Sequence, residues 1–517
     1  MDATFCDPAC GSGVFLIEAV RTYLSALKQA VIPIEEWYPR VRAHFVGIDV
    51  DPIACLYARF NLSVLLAPAV LSWMAANPRR LPEPLPIEQK DTLSCLAIEL
   101  GRSGLLESQV VEPALASAFD FVVGNPPYRK LGQMSPELRR AFAGSIYGHP
   151  NAYGMFLHAG IEMLRPGGHL GFIVPRSMLS GLYFQNLRRM IEEQTWLEEV
   201  SIFADRKRIF SRVLQGTMIL VFSKRRREDC EKKEDRPVKT AIVRSIPELE
   251  NGGPGHVLAP ASQVTRRLNG TTVWFVSDRE RTYSLLDKIV GRHPLLGSPA
   301  IACPAKTGPI VWNRVKPFLR RGGGDGILPL VWATDVGRFR FSFGSAGDSR
   351  PAFLADNQAT ERLATCGPSL LVQRVTADEQ ARRIVAGLAR FQVPRRYFVE
   401  NHLNVLQPSP RAPVALEFLL GVLSSDVVEF MFRSMNGNTQ VSATELNLLP
   451  IPRGKFESEI ADLVGRMAES RPAERKDLEL DLNERVARAY GLSGSELGFL
   501  RKVLRETPVP GESRRDD

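Results

Sequence analysis

The sequence predicts an α/β fold: a mostly parallel sheet over residues 1–224, a mixed α+β domain over 225–454 and a helical segment over 455–517. Three observations predict it. Strand and helix patterns alternate through the first part, as in sheets covered by helices on both faces. Past the charged run "KRRREDCEKKEDRPVK" the pattern breaks into short β-type runs, glycine turns such as "RRGGGDG" and frequent prolines. From about Lys455 apolar residues return at helical spacing, as in "LELDLNERVARAYGLSGSELGFLRKVL".

Taken in order, "ATFCDPACGSG" reads as a strand running into a glycine turn, and "VFLIEAVRTYLSALKQAV" as a helix apolar most of the way round. "HFVGIDVDP" is a second strand, and "PIACLYARFNLSVLLA" opens with proline at a first helical position, where its missing N–H costs nothing. In "FDFVVGNPPYRK" the residues Phe119, Phe121, Val122 and Val123 favour a buried strand, which Gly124 and two prolines end abruptly. "AYGMFLHAGIEMLRPGGHLGFIVP" gives a helix, a Gly-Gly turn and a strand, and "GTMILVFSK" a further strand that closes the unit near Lys224. The charged run that follows is mixed in sign and reads as a solvated loop. "TTVWFVS" is a strand of the second domain, and the tail "PVPGESRRDD" reads as disordered.

Composition bounds the function. With 44% hydrophobic and 24% charged residues the chain is an ordinary globular one. At about 150 residues per domain its length suits roughly three. No apolar run approaches the roughly 20 residues that span a bilayer, and "MDATFCDPAC" lacks the basic and apolar regions of a secretory leader. The expectation is a cytoplasmic protein with no membrane contact. Seven cysteines, scattered and without a CxxC, read as free thiols with no metal site. The net charge of +9, from 66 basic and 57 acidic residues, favours a polyanionic partner.

Three motifs carry chemistry. In "DPACGSG", residues 7–13, Gly11 and Gly13 let the backbone turn tightly and approach a ligand just before a helix whose first N–H groups are unpaired. It is not GxGxxG and has no Walker lysine, so a nucleoside suits it better than a phosphate. Asp49 ends the next strand, where a carboxylate reaches a ribose diol; Asp51 competes, with capping of the helix at Pro52 as its plainer role. Asp91 in "QKDTL" either accepts from an adenine amino group or caps a turn. "NPPY" offers the Asn125 side-chain oxygen and the Pro126 carbonyl as two acceptors held by a rigid Pro126-Pro127 backbone, a fit for an exocyclic amino group, with the Tyr128 ring free to stack on a planar base. The plainer reading of "NPPY" is a proline turn closing a strand.

These blocks, with "FL…LRPGGHLGFIVP" and "IFSRVLQGTMILVF", resemble in order the motifs of gamma-class N6-adenine DNA methyltransferases, including the methylase and target-recognition part of type IIG restriction-modification enzymes. The resemblance covers residues 1–224, and more loosely "VPRRYFVENHLNVLQP", the segment ending "NLLPIP" and "YGLSGSELGFL". It implies a Rossmann-like S-adenosylmethionine-dependent sheet, a target-recognition domain that grips double-stranded DNA, and methyl transfer to adenine N6 by base flipping. Asp7, Ala9, Gly11 and Gly13 would line the cofactor pocket, Asp49 would hold the ribose, and Asp91 and Phe156 would meet the cofactor adenine. Asn125, Pro126, Pro127 and Tyr128 would be the catalytic set. Phe210 would stack on the other face of the flipped base, or simply pack in the core.

The sequence departs from the family at its start. Members carry a segment before the glycine motif that covers the methionine end of the cofactor, whereas here the motif begins at residue 7. The expectation is a truncated form, or a separate polypeptide that supplies this segment or a nuclease; no Asp…Glu-x-Lys nuclease arrangement is found. Competing readings are a DNA-recognition subunit inactive without a partner, a cytosine-N4 methyltransferase and a protein-glutamine methyltransferase, the last of which leaves the basic residues after Lys224 without a role. Recognition is expected in residues 225–450, with Arg314, Lys316, Arg374, Arg382 and Arg383 among the cationic candidates.

Overall fold

A computed structural model describes residues 2–102, 114–204, 216–229, 232, 234–250, 253, 255–345, 350–375, 382–392, 395–409, 414–436 and 440–506. The chain divides into two compact units. One comprises Met1–Ile202, Thr217–Ala241 and His256–Ser262, the other Phe203–Gly216, Ile242–Gly255 and Gln263–Asp517. Phe210 and the tail after Glu506 lie outside the described residues.

The first unit is built on a nine-stranded sheet of β1 (Phe5–Asp7), β2 (Phe45–Asp49), β3 (Ile87–Gln89), β4 (Phe119–Gly124), β5 (Leu164–Pro175), β6 (Thr195–Phe203), β7 (Thr217–Lys224), β8 (Pro237–Val243) and β9 (His256–Pro260), in the order β3-β2-β1-β4-β5-β7-β6-β8-β9. The strands from β3 to β5 pair in parallel, and β7 runs antiparallel between β5 and β6. The chain leaves β1 toward β2 on one side and returns to β4 on the other. That reversal makes the carboxyl ends of β1 and β4 the place where an open α/β sheet binds ligands.

Helices α1 (Val14–Gln29), α2 (Trp37–His44) and α3 (Pro52–Ala76) bury Leu16, Val20, Val41, Cys55, Ala58 and Leu62 in one cluster with Phe45 and Ile87 of the sheet. Gly13, at φ 86°, is needed there: a Cβ would sit 3.2 Å from that of Ala58. Helix α3 starts as the sequence predicts, with Pro52 in the first turn and Asp51 capping it by accepting from Ile53 N at 2.9 Å. It runs 25 residues and is apolar enough, by length and composition, to cross a membrane, which corrects the reading that no such run exists. Here it is the crossover from β2 to β3, with Cys55, Ala58, Leu62, Leu66 and Ala69 turned into the core. Helices α4 (Thr92–Arg102), α5 (Pro136–Ala141), α6 (Ala152–Met163) and α7 (Gln185–Gln194) follow, α6 packing on β5.

Two details differ from the sequence reading. The Gly-Gly turn is drawn into β5, whose pairing with β4 begins at Leu164, breaks, and resumes at His169 opposite Phe121, with Gly167 at φ 88° taking up the bulge. The sheet also continues past Lys224, because "PVKTAIV" buries Val238, Thr240, Ala241 and Val243 and pairs with β9.

The second unit is mixed α+β. A four-stranded antiparallel sheet joins Ala305–Thr307, Leu403–Leu406, Ser369–Gln373 and Ala386–Ala389, and a five-stranded sheet centres on Ile327–Val331 and Arg396–Val399. "TTVW" is the return strand of a hairpin whose turn, Asn269-Gly270, has both residues at positive φ (47° and 77°), the turn chemistry that matches strand twist. Helices Glu457–Glu469, Pro472–Ala489 and Gly494–Glu506 form the predicted helical end. They join the same unit: Asp426 N donates to Asn483 Oδ1 at 2.6 Å, and Arg501 Nε to Asp426 Oδ2 at 2.9 Å.

Candidate active site

Asp7, at the tip of β1, is buried, and its Oδ1 accepts from Ala9 N at 3.1 Å while Oδ2 has no partner among the described residues. Burial, opposed by the Ala9 N–H and reinforced by the Asp49 carboxylate, lifts its carboxyl to about 7. The turn after it is tied on three sides. Thr92 Oγ1 donates to Pro8 O at 2.6 Å, Cys10 N to Ile48 O at 2.9 Å, and Asn61 Nδ2 to Ser12 O at 3.0 Å.

Asp49, at the tip of β2, faces this turn. Its Oδ2 accepts from Gly11 N at 2.8 Å and its Oδ1 from Asp51 N at 2.9 Å. Each carboxylate oxygen keeps a second lone pair. Gly11 is at φ 53° and a Cβ there would meet nothing within 4 Å, so the turn leaves open space beside Asp49. Asp91 does what the plainer of its two readings expects: exposed, it caps α4, with Oδ1 accepting from Leu93 N at 3.2 Å and Oδ2 from Ser94 Oγ at 2.8 Å.

At the tip of β4 the strand ends against Asp7. A Cβ on Gly124 would lie 2.7 Å from Asp7 Oδ1, so only glycine lets the two strand ends stand side by side. Asn125 is exposed, Pro126 buried and Pro127 exposed. The Tyr128 hydroxyl lies 2.6 Å from Asn125 Oδ1 and 3.1 Å from Ile173 O of β5. Its ring meets Tyr153 edge-on at 6.1 Å, and Tyr153 Oη is 2.7 Å from Ser177 Oγ. Burial pushes the Tyr128 phenol up, so it stays protonated at neutral pH.

Asp7, Ala9, Gly11, Asp49, Asn125 and Tyr128 therefore meet at the carboxyl ends of three adjacent strands, with Gly13 seating α1 behind them. Phe156 is buried on α6. Sequence reasoning missed Thr92, Asn61, Tyr153 and Ser177. They hold the site residues rather than form a motif, and only the fold brings them near.

Residues 43–210 match the model of the Eco57I restriction-modification methylases. The chain is similar to restriction-modification methyltransferases. It is 26% identical over 408 residues to the type II methyltransferase M.BsuBI of Bacillus subtilis, covering 75% of this chain and 76% of the relative. It is 27% identical over 349 residues to M.PstI of Providencia stuartii, covering 66% of each. Among solved structures, the type IIL restriction-modification enzyme MmeI in complex with DNA superposes with a TM-score of 0.57 at 14% identity, over 98% of this chain and 73% of that one. At that identity the likeness is one of fold.

The cationic candidates of the second unit sort into two kinds. Arg314 and Lys316 are exposed, Lys316 lying over the Trp312 ring at 4.9 Å. Arg374 Nη1 donates to Asn401 O at 2.6 Å, Arg382 pairs with Asp426 and, at 4.0 Å, with Glu479, and Arg383 is buried with its N–H on Glu429. Those three are engaged inside the unit, as charges flanking short strands in a folded domain often are.

Proposed function

We propose that the chain is a site-specific DNA methyltransferase that moves a methyl group from S-adenosylmethionine to the N6 amino group of adenine in duplex DNA. The observation that carries this is the meeting of a nucleoside-type cradle, Asp7, Gly11 and Asp49, with Asn125 and Tyr128 at one strand-end crevice. The likeness to type II methyltransferases supports DNA as the substrate. The cradle fits the cofactor chemically: Asp7 Oδ2 is a buried acceptor without a partner among the described residues, Gly11 leaves open space, and Asp49 retains lone pairs for a ribose diol. When bound, S-adenosylmethionine supplies an electrophilic methyl group.

The chain's own residues do the rest. Asn125 Oδ1 and the Pro126 carbonyl accept the two protons of the target amine, aim its lone pair and stabilise the positive charge that grows on nitrogen. Tyr128 stacks on the base after it leaves the helix, with Phe210 on its other face, and Asp91 and Phe156 border the cofactor adenine. Target recognition resides in residues 225–454, where cations grip phosphates and base-edge contacts choose the site. Double-stranded DNA is the partner, joined by a further polypeptide if the cofactor cover comes in trans, and the setting is cytoplasmic.

The test is to incubate the purified chain with duplex DNA and S-adenosylmethionine and analyse the nucleosides by mass spectrometry. N6-methyladenine is the expected product. N4-methylcytosine, or label only on protein, would overturn the reading. Cofactor binding without transfer would identify a recognition subunit that needs a partner.

A further inference from the structure

Helix α3 carries an apolar face that nothing among the described residues of its unit covers. Ile53, Leu56, Tyr57, Phe60, Val64 and Leu71 are each 57–66% exposed. Their spacing of three, one, three, four and seven residues keeps them on one face, opposite the buried Cys55, Ala58, Leu62 and Leu66. The stripe is about 27 Å long at 1.5 Å per residue. The one charged residue of the helix, Arg59, donates to Ile87 O. Six side chains of this size at this exposure present roughly 700 Å², more than the usual patch on a monomer and close to the roughly 800 Å² that each partner brings to a standard interface.

We infer that this face is the interface with a second copy of the chain, formed by two α3 helices packing antiparallel about a two-fold axis at Ser63 and Val64. A charge-free stripe offers an acidic or basic partner nothing to pair with, whereas it complements itself. A two-fold at that point sets Phe60 opposite Ala67, Leu56 opposite Leu71 and Ile53 opposite Met74, so that the Phe60 ring meets a small side chain. A bilayer is a poorer occupant. The other side of α3 is core and both its ends join parallel strands, so the helix has no route across a membrane.

Sedimentation of the full chain at ~10 µM, suited to an interface of this area, tests the pairing. The expected mass is twice that of the chain, falling to one chain in Phe60→Asp and in Leu56→Asp with unchanged circular dichroism melting, since both positions are exposed. A wild-type monomer, or a dimer that survives both substitutions, overturns the proposal. So does a wild-type chain that floats with neutral phosphatidylcholine vesicles, which would assign the face to lipid. Register is read separately with a short bis-maleimide cross-linker. Val64→Cys is expected to cross-link above the parent chain and Leu71→Cys is not; the reverse overturns the antiparallel pairing.

Discussion

The hydroxyl of Tyr128 donates to Oδ1 of Asn125 at 2.6 Å, so the acceptor proposed to receive the target amine is held by its own loop neighbour. The bond fixes the amide's orientation, and a base amine has to replace the phenol. Tyr128→Phe removes the competing donor and keeps the stacking ring; methyl transfer is expected to stay within about tenfold of wild type, since a neutral hydrogen bond contributes about 1 kcal/mol. Tyr128→Ala removes the ring as well and is expected to lose about 10- to 100-fold in kcat/KM, as stacking contributes about 1–3 kcal/mol per base. Steady-state transfer with labelled cofactor checks both, and equal loss in the two variants would show that the hydroxyl, not the ring, matters.

Asn125→Ala is expected to lower the transfer rate by about a hundredfold or more, the effect of about 3 kcal/mol from one well-placed polar group. Because Asn125 is proposed to serve the target, cofactor affinity by titration calorimetry should change no more than a few fold. Asp49→Ala should do the opposite first, raising the cofactor dissociation constant, since it loses both the acceptors proposed for the diol and the hydrogen bond that shapes the turn at Gly11.

Much of this site was legible in the residues. "DPACGSG", "FVGID" and "NPPY" mark strand ends by their glycines, prolines and acids, and those ends are where a parallel sheet binds ligands. The ties among them were not legible. That Gly124 must be glycine follows from Asp7 Oδ1 lying 2.7 Å from where a Cβ would stand, 117 residues earlier in sequence, a contact set by sheet order and not by any local pattern. β8 was hidden because it begins at a proline just after a charged run, where a loop is the stronger local signal, and its buried residues do not alternate cleanly. The exposed stripe on α3 was read only as helix, because periodicity tells which residues share a face and leaves open what covers it.

Gly124→Ala tests the contact between the two strand ends. The new methyl has to displace a buried carboxylate, so cofactor affinity and transfer should fall together, with a stability loss of about 1–3 kcal/mol for overpacking. An unchanged cofactor dissociation constant would separate Asp7 from the cofactor site.

The burial of Asp7 predicts a pH dependence of folding. Its carboxyl is raised from 3.8 to about 7, so between those values the folded state holds a proton that the unfolded chain has released. Stability from this group is therefore complete below about pH 4 and lost as pH rises to about 7, by at most about 4 kcal/mol at 1.36 kcal/mol per unit. Asp7→Asn keeps the acceptor for Ala9 N and removes the titration. Denaturant midpoints of the variant should vary less than wild type across that range, and parallel curves would mean that Asp7 is ionised in the fold.

The arginines of the second unit predict two separable behaviours. Arg314 and Lys316 are exposed, so replacing either with Ala should leave stability within about 0.5 kcal/mol while reducing the salt slope of DNA binding by about one, as the loss of one phosphate contact does. Arg382 is different. It pairs with Asp426, a buried acid held below its usual range by Arg382 and Arg501 against the cost of burial. Arg382→Ala leaves that carboxylate with a single cation, and a loss of about 3 kcal/mol is expected for breaking a buried pair, with no change in the salt slope. Fluorescence anisotropy at several salt concentrations, alongside urea unfolding, measures both quantities. If Arg382→Ala lowers the slope without destabilising the fold, its side chain faces DNA, and the pair with Asp426 is incidental.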